Sequence, residues 1–309
     1  MLKSPTALER LAEIDTVVFD KTGTLTEPTL ALEADGIDPA DLHAAATLAA
    51  NSRHPLARSL VAAAGPVAAA ERVTEVPGQG LIAPGVMEAL ETTSRLGSRA
   101  FCGITNAPAA DGPELWFTRP DHKPVRFAFA ERARPDAAET LARLRALGLS
   151  IRLISGGHPA AVEKIAAALA IADWHTGWHA GCSPVEKVRM VEALARQGHH
   201  VLMVGDGLND SPSLAAAHVS ASPASGADIS QTVADVVFPG NALSPVATIV
   251  LAARRARSVM RLNLGLAIGY NMLMVPLAVA GWVTPWLAAA AMSGSSLLVM
   301  ANSFRARRV

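Results

Sequence analysis

Asp20-Lys21-Thr22-Gly23-Thr24-Leu25-Thr26 follows Thr16-Val17-Val18-Phe19, an apolar run with the length of a short buried strand. A carboxylate at that point sits at the C-terminal edge of a sheet, open to a ligand. Gly23 and the residues after it let backbone N–H groups turn toward an anion. An aspartate so placed can act as a nucleophile, take a phosphoryl group and form an aspartyl phosphate. The plainer reading is a strand-to-helix turn with a capping aspartate. A second string, Gly205-Asp206-Gly207-Leu208-Asn209-Asp210, follows the apolar run Val201-Leu202-Met203-Val204. Alone, Gly-Asp-Gly reads as a turn. In company with the first string it is no coincidence.

Strand and helix alternate around these loops. Residues 135–147 have helical periodicity, with Leu141, Leu144 and Leu147 on one face, and Gly148 ends the helix. Residues 150–154 form the next strand, 160–169 a helix, and 185–197 a helix closed by Gly198. Alternation of this kind gives a parallel sheet with ligands at the strand C-terminal ends. From Thr26 to about Arg126 the pattern breaks into Ala-rich helical stretches and Gly/Pro turns. That segment reads as a second domain inserted after the first strand.

From Leu262 to Phe304 there is no Asp, Glu, Lys or Arg. One helix of that length would run about 65 Å, whereas a bilayer core needs only about 20 residues. Two spans over about 262–281 and 285–304 fit better. Gly281-Trp282-Val283-Thr284-Pro285 supplies the turn, with Trp282 and Trp286 as interface residues. Arg254, Arg255, Arg257 and Arg261 precede the pair, and Arg305, Arg307 and Arg308 follow it. The positive-inside rule then places both ends in the cytoplasm. The bland reading is a buried helical hairpin of a soluble protein. Met1 to Ser4 carries no apolar run, so the spans and not a signal peptide would bring the chain to the membrane.

Lys plus Arg and Asp plus Glu both number 27, a net charge of zero, which argues against nucleic-acid binding by bulk charge. Half the residues are hydrophobic, which excludes disorder. Cys102 and Cys182 lie far apart, without a Cys-x-x-Cys pair or a disulfide framework, as suits a reducing compartment.

The string at 20–26 matches the signature of the P-type ATPases, and the chain resembles that family over nearly its whole length. Ser155, Lys187 and the pair Asp206 and Asp210 resemble the haloacid-dehalogenase-type core those pumps share. The resemblance implies an α/β fold. A haloacid-dehalogenase-like, doubly wound parallel-sheet phosphorylation domain would cover residues 1–28 and 127–250. An inserted α+β nucleotide-binding domain would cover 29–126, and a membrane region with two transmembrane helices 251–309. It implies Asp20 as nucleophile, Ser155 as a donor to the phosphate, and Lys187 as a cation offsetting phosphate and carboxylate charge. Mg2+ would be held among Asp20, Thr22, Asp206 and Asp210. Related soluble phosphatases normally have a second, hydrolytic Asp where this chain has Thr22. Without that base the phosphoenzyme should persist, as a pump requires.

Ser52-Arg53-His54-Pro55-Leu56 is similar to the His-Pro motif of the heavy-metal branch, in which His54 would stack on or bond to adenine. Gly78-Gln79-Gly80 and Arg95-Leu96-Gly97-Ser98 are similar to the glycine-rich wall of the same ATP pocket. The implied nucleotide set is therefore His54, Pro55, Gly78, Gly80 and Gly97. Three departures stand out. Arg53 replaces the usual Glu. Ser155-Gly156-Gly157 replaces Thr-Gly-Asp or Ser-Gly-Asp, which bears on nucleotide handling, Mg2+ handling or domain closure. Glu131 stands ahead of Arg134-Pro135 where many relatives have Asp.

Tyr270-Asn271 and Met292-Ser293-Gly294-Ser295-Ser296 resemble the last two membrane helices of monovalent-copper pumps. Met292 and Ser296 are four apart, hence on one helix face, and a thioether is a soft ligand suited to Cu+. Zinc and cadmium pumps usually carry an Asp in the last helix and a Lys in the one before, and this chain has neither. The alternative is that Met and Ser merely pack helices. The opening residues and the Arg-Leu-Gly-Ser stretch particularly resemble the subgroup supplying copper to cbb3-type cytochrome oxidases. The implied cargo is Cu+, exported by a multi-pass protein of the plasma (inner) membrane with cytoplasmic catalytic domains. The resemblance starts past the family's actuator domain and Cys-Pro-Cys helix, so the chain reads as a C-terminal fragment. Expected partners are ATP, copper, the lipid bilayer, and the missing N-terminal half of the pump or a copper chaperone; nucleic acid is not among them. Two other readings stay open: a membrane-tethered phosphatase of the haloacid-dehalogenase class, and a non-catalytic half of a split pump.

Overall fold

The Ser4 hydroxyl accepts from the Ala7 N–H and starts α1 (Pro5–Leu11), with Pro5 in the first turn. In this computed structural model, residues 1–84, 93–107, 112–171, 177–206, 208–225 and 228–304 are described. Gly207, Arg305, Arg307 and Arg308 lie outside the described residues. β1 (Thr16–Asp20) is buried at every position, the pattern of a strand covered on both faces. Residues Lys21–Leu25 then turn irregularly through Gly23.

A compact unit, Thr26–Ala133, follows. It contains β2 (Ala31–Glu33), α2 (Pro39–Ala49), α3 (Pro55–Ala64), β3 (Thr74–Val76), β4 (Gly80–Ala83), β5 (Ser94–Gly97), β6 (Glu114–Thr118) and β7 (Val125–Ala130). The strands form one antiparallel sheet in the order β2-β7-β6-β5-β4-β3. Ala45, Leu48 and Leu60 of the helices pack on Leu81, Leu96, Phe117 and Phe127 of the strands. The expected boundary at residue 126 falls inside β7. Phe127 and Phe129 alternate into this core and pair β7 with both β6 and β2, so the unit continues to Ala133.

The other unit, Met1–Leu25 with Arg134–Val309, resumes there. Its elements are α4 (Ala137–Ala146), β8 (Ser150–Ile154), α5 (Pro159–Ala168), β9 (Trp178–His179), α6 (Pro184–Arg196), β10 (Val201–Val204), α7 (Ser211–Ala216), β11 (Val219–Pro223), α8 (Asp228–Val233) and β12 (Val236–Phe238). Six strands run parallel in the order β12-β11-β10-β1-β8-β9. This is the expected α/β sheet. Phe19 pairs with Val204 and Asp20 with Ile154, so the loops after β1, β8 and β10 open at one edge.

α9 (Ser244–Val279) is one helix of 36 residues. The expected break at 250–251 and the expected helix start near 262 are both corrected. Val246, Ala247, Val250 and Ala253 are buried against the soluble part, and the helix runs on through the arginines. Arginine interrupts hydropathy but is a good helix former. Arg254 donates to the carbonyls of Leu147 and Ile14, and Arg257 to Glu13. These arginines therefore fasten α9 to the sheet domain as well as flanking the apolar stretch.

α10 (Pro285–Ser303) returns after the turn, capped by the Thr284 hydroxyl. Asn302 Nδ2 donates to Asn263 Oδ1 at 2.7 Å and Asn263 Nδ2 to Ser303 Oγ at 3.1 Å, tying the open ends of the hairpin. Among the described residues, one helix, α9, is long and apolar enough to cross a membrane. α10 is uncharged, but Ser293, Ser295, Ser296, Asn302 and Ser303 dilute its apolar character. The expected helix pair forms, and in apolarity one member meets the expectation of two spans.

Candidate active site

Asp20 is the last residue of β1, and Lys187 projects from α6, whose capping box of Ser183 and Glu186 fixes its start. Lys187 Nζ donates to Asp20 Oδ1 at 2.5 Å and to Asp210 Oδ1 at 2.6 Å. All three side chains are buried. One oxygen from each of Asp20, Asp206 and Asp210 lies within 4.8 Å of the others. Gly23 makes this approach possible. A Cβ there would lie 1.7 Å from Asp206 Oδ2, and its φ of 69° already favours glycine.

Burial first, then the Asp210 charge, pushes the Asp20 carboxyl up to about 7 against the pull of Lys187. Burial first and Asp210 second push Asp206 up to about 6. Burial draws the Lys187 ammonium down, but Asp20 and Asp210 outweigh it and hold it above its ordinary value. Carboxylates crowded until two resist ionising are the donor set a hard divalent cation relieves. The residues therefore fit Mg2+.

Arg134 is a site residue whose role the sequence did not reveal. Buried at 5% exposure, it donates to the carbonyls of Thr24 at 2.7 Å, Gly23 at 2.6 Å and Gly240 at 2.6 Å. It clamps the turn that follows Asp20. Side chain-to-carbonyl bonds of this kind leave no spacing pattern; the signal was an arginine directly before a proline and a helix.

Ser155 is buried at the end of β8, and its Oγ accepts from the Gly157 N–H at 3.1 Å. A Cβ at Gly157 would meet Lys21 Nζ at 3.2 Å and Ser155 Oγ at 3.4 Å. A carboxylate at 157, as in Thr-Gly-Asp, would thus face the Lys21 ammonium; glycine offers it no side chain. Thr22 is exposed.

The antiparallel unit holds its own recess, a cavity of about 250 Å3 whose lining includes Ser52, His54, Glu75, Gly78, Gly80 and Gly97. His54 caps α3, its Nδ1 accepting from the Leu56 N–H at 3.3 Å. Pro55 occupies the first turn and positions His54, and it does not line the cavity. Arg53 does not line it either. Two acids that do were not read from the sequence. Glu75 accepts from the Ser52 hydroxyl at 2.7 Å. Glu114 is held by Arg99, Trp116 and Arg126, and the Arg99 bond above all pulls its carboxyl down to about 2.

Gly80 and Gly97 face each other across β4 and β5. A Cβ on Gly80 would lie 2.3 Å from the Leu96 carbonyl oxygen, and one on Gly97 2.3 Å from that of Gln79. Gly80→Ala must therefore separate the strands, at a cost of about 2 kcal/mol. Equilibrium denaturation should show the loss. Wild-type stability in this variant would mean that the wall tolerates the methyl.

Tyr270 and Asn271 stand on α9, and Met292 and Ser296 on α10. Asn271 Nδ2 donates to the Ala267 carbonyl at 2.9 Å within its own helix. Tyr270 is half-buried, while Asn271, Met292 and Ser296 are exposed, Met292 at 67%. The hairpin presents these groups outward and does not enclose them, because two helices share only one mutual face.

A family model of haloacid dehalogenase-like hydrolases matches residues 14–218. The nitrogen fixation protein FixI of Bradyrhizobium diazoefficiens is 47% identical over 99% of this chain and 42% of its own length. The copper-exporting P-type ATPase of Mycobacterium tuberculosis is 33% identical over 99% of this chain and 41% of its own length. The chain spans about two fifths of these relatives. A crystal structure of a zinc-transporting PIB-type ATPase in its E2.Pi state has a TM-score of 0.81 at 30% identity, covering 100% of this chain and 52% of that one. With a parallel sheet that ends on Asp20 and gathers Lys187, Asp206 and Asp210 around it, the chain belongs to the haloacid dehalogenase-like hydrolase family, in the branch formed by the P-type ATPases.

Proposed function

We propose that this chain is the catalytic and C-terminal membrane portion of an ATP-driven Cu+-exporting pump of the plasma membrane, phosphorylated on Asp20. The observation that carries the reading is the buried ion pair of Asp20 and Lys187 at the end of the central strand, with Asp206 and Asp210 beside it. Lys187 engages Asp20 Oδ1, which leaves Oδ2 as the attacking oxygen. That oxygen forms a bond to the γ-phosphorus, the bond from phosphorus to the bridging oxygen breaks, and ADP leaves. Lys187 keeps the carboxylate ionised and offsets charge on the phosphoryl oxygens. The Ser155 hydroxyl, whose oxygen already accepts from Gly157, has its proton to donate to the phosphate. Asp20 and Asp206 would hold Mg2+, with Asp210 engaged by Lys187 behind them; when bound, the ion neutralises phosphate charge.

The antiparallel unit is the nucleotide-binding domain in this reading, with His54 at the adenine and the Gly78–Gly80 and Gly97 wall beside it. Thr22 supports a pump over a phosphatase, because it leaves the position two after the nucleophile without a hydrolytic base. For the cargo, the solved relative moves zinc and the mycobacterial relative exports copper. Met292 with Tyr270, Asn271 and Ser296, and the lack of any charge in 262–304, favour the soft monovalent ion.

The test is incubation with γ-labelled ATP and Mg2+, followed by acid quench. Wild type should carry an acid-stable label that Asp20→Asn lacks. An unlabelled wild type that still binds ATP overturns the phosphorylation reading. Vigorous p-nitrophenyl phosphate turnover indifferent to copper would replace the pump by a phosphatase.

A further inference from the structure

Glu13, His200 and His218 stand at the N-terminal edge of the parallel sheet, the edge opposite Asp20. His200 directly precedes β10, His218 directly precedes β11, and Glu13 lies between α1 and β1. These three strands are neighbours in the sheet, so their leading loops converge. One donor atom from each residue lies within 4.8 Å of the other two.

The spacing between Glu13 and His218 fits two ligands of one metal ion as well as a long ion pair. His218 Nε2 and Glu13 Oε2 are 3.4 Å apart. Two ligands bonded to one tetrahedral Zn2+ at roughly 2.1 Å are separated by roughly the same 3.4 Å. His218 Nε2 is shielded from solvent, and its 3.4 Å contact with Glu13 Oε2 is too long and poorly aligned to count as a hydrogen bond. Leaving such an atom unsatisfied ordinarily costs about 1–3 kcal/mol. The rings of His200 and His218 are 4.6 Å apart and inclined at 57°, so the imidazoles converge without stacking. Polar groups behind the ligands orient them. Asp15 Oδ2 accepts from the His200 backbone N–H at 3.0 Å and lies 3.9 Å from His200 Nδ1, so it holds the backbone that carries the imidazole and sets a negative charge beside the ring. Arg257 donates to Glu13 Oε1 at 2.8 Å and leaves Oε2 turned toward His218.

We propose that Glu13, His200 and His218 form a binding site for a divalent transition-metal ion of the Zn2+ class, separate from the phosphorylation site. Two imidazoles and one carboxylate are a borderline donor set that suits such ions and not Mg2+. A fourth position falls to water. Glu13 and His200 are exposed and His218 is half-buried, and the positive charge of Arg257 favours an exchangeable ion over a permanent one. Occupancy would cross-link the loops ahead of β1, β10 and β11 and, through Arg257, the base of α9.

The test is calorimetric titration of the chelator-stripped, detergent-solubilised 309-residue chain with Zn2+ in excess Mg2+, which occupies oxygen-only sites. One equivalent is expected. It should vanish in the double variant His200→Ala/His218→Ala and weaken about tenfold in Asp15→Asn. It should persist in Asp20→Asn, Cys182→Ser and Met292→Leu. Should the double variant misfold, Glu13→Gln keeps the side-chain size and the Arg257 contact, and must weaken the same equivalent. A Zn2+ equivalent that survives Glu13→Gln, or no Zn2+ binding by wild type, overturns the site.

Discussion

Lys187→Met is expected to abolish the phosphoenzyme proposed at Asp20 and to destabilise the chain by roughly 3–5 kcal/mol, the usual cost of breaking a buried ion pair from one side. The ammonium lies between Asp20 and Asp210, both buried, with Asp206 close by. Methionine fills the volume but leaves carboxylates facing one another in a poorly solvated site. They can respond only by taking up protons. Because burial and Asp210 already hold Asp20 near 7, removal of the cation pushes it higher, and the nucleophile is neutral at physiological pH. The defect in stability should shrink at pH 5, where protonation supplies what the lysine no longer does. Thermal unfolding at pH 5 and 7.5, with acid-stable labelling at the higher pH, checks both halves. An unchanged melting temperature at pH 7.5 would show that the pair contributes little.

Mg2+ is expected to stabilise the chain strongly at pH 8 and weakly at pH 5. Asp20 and Asp206 rise from 3.8 in the unfolded chain to about 7 and about 6 in the fold. Between about pH 4 and pH 7 the native state therefore holds protons that the unfolded state has released, and metal-free stability falls as pH rises. The cation binds the ionised carboxylates, so its apparent affinity climbs through the same window and levels above it. At a hundred times its dissociation constant a ligand contributes about 2.7 kcal/mol. Asp210→Asn removes the second-largest cause of both rises. It should make the metal-free chain more stable at pH 7.5 and flatten its pH dependence, while reducing the gain from Mg2+. Melting curves with and without Mg2+ across pH 5–8 decide this; a Mg2+ effect independent of pH would refute the charge argument.

The parallel sheet was legible because its strands are short apolar runs that stop abruptly at acids or glycine. Thr16–Asp20 and Val201–Val204 are examples, and the pairing of their loops followed from alternation with helices. What remained illegible was carried by contacts without a period. Arg134 grips carbonyls more than a hundred residues away in sequence. Glu75 and Glu114 reach their recess from strands whose side chains alternate, and nothing in a glutamate says which face it takes. The domain edge near 126 was misplaced because β7 carries Arg126 amid its apolar residues, and the turn before it resembles a linker. Hydropathy similarly hid the continuity of α9, since helix geometry depends on the backbone and not on the charge of Arg254–Arg261.

That continuity has a mechanical meaning. A helix is a screw, and every residue advances it about 1.5 Å and turns it about 100°. Val250, packed against the sheet domain, and Tyr270 are locked in phase by twenty positions of unbroken screw. One residue added between them would leave every local bond intact and yet swing Tyr270 and Asn271 about 100° around the axis. Four added residues would bring them back to within about 40°. The azimuth of the outer half of α9 is thus set by the soluble part, and the length of chain between the two is as constrained as any side chain in the site.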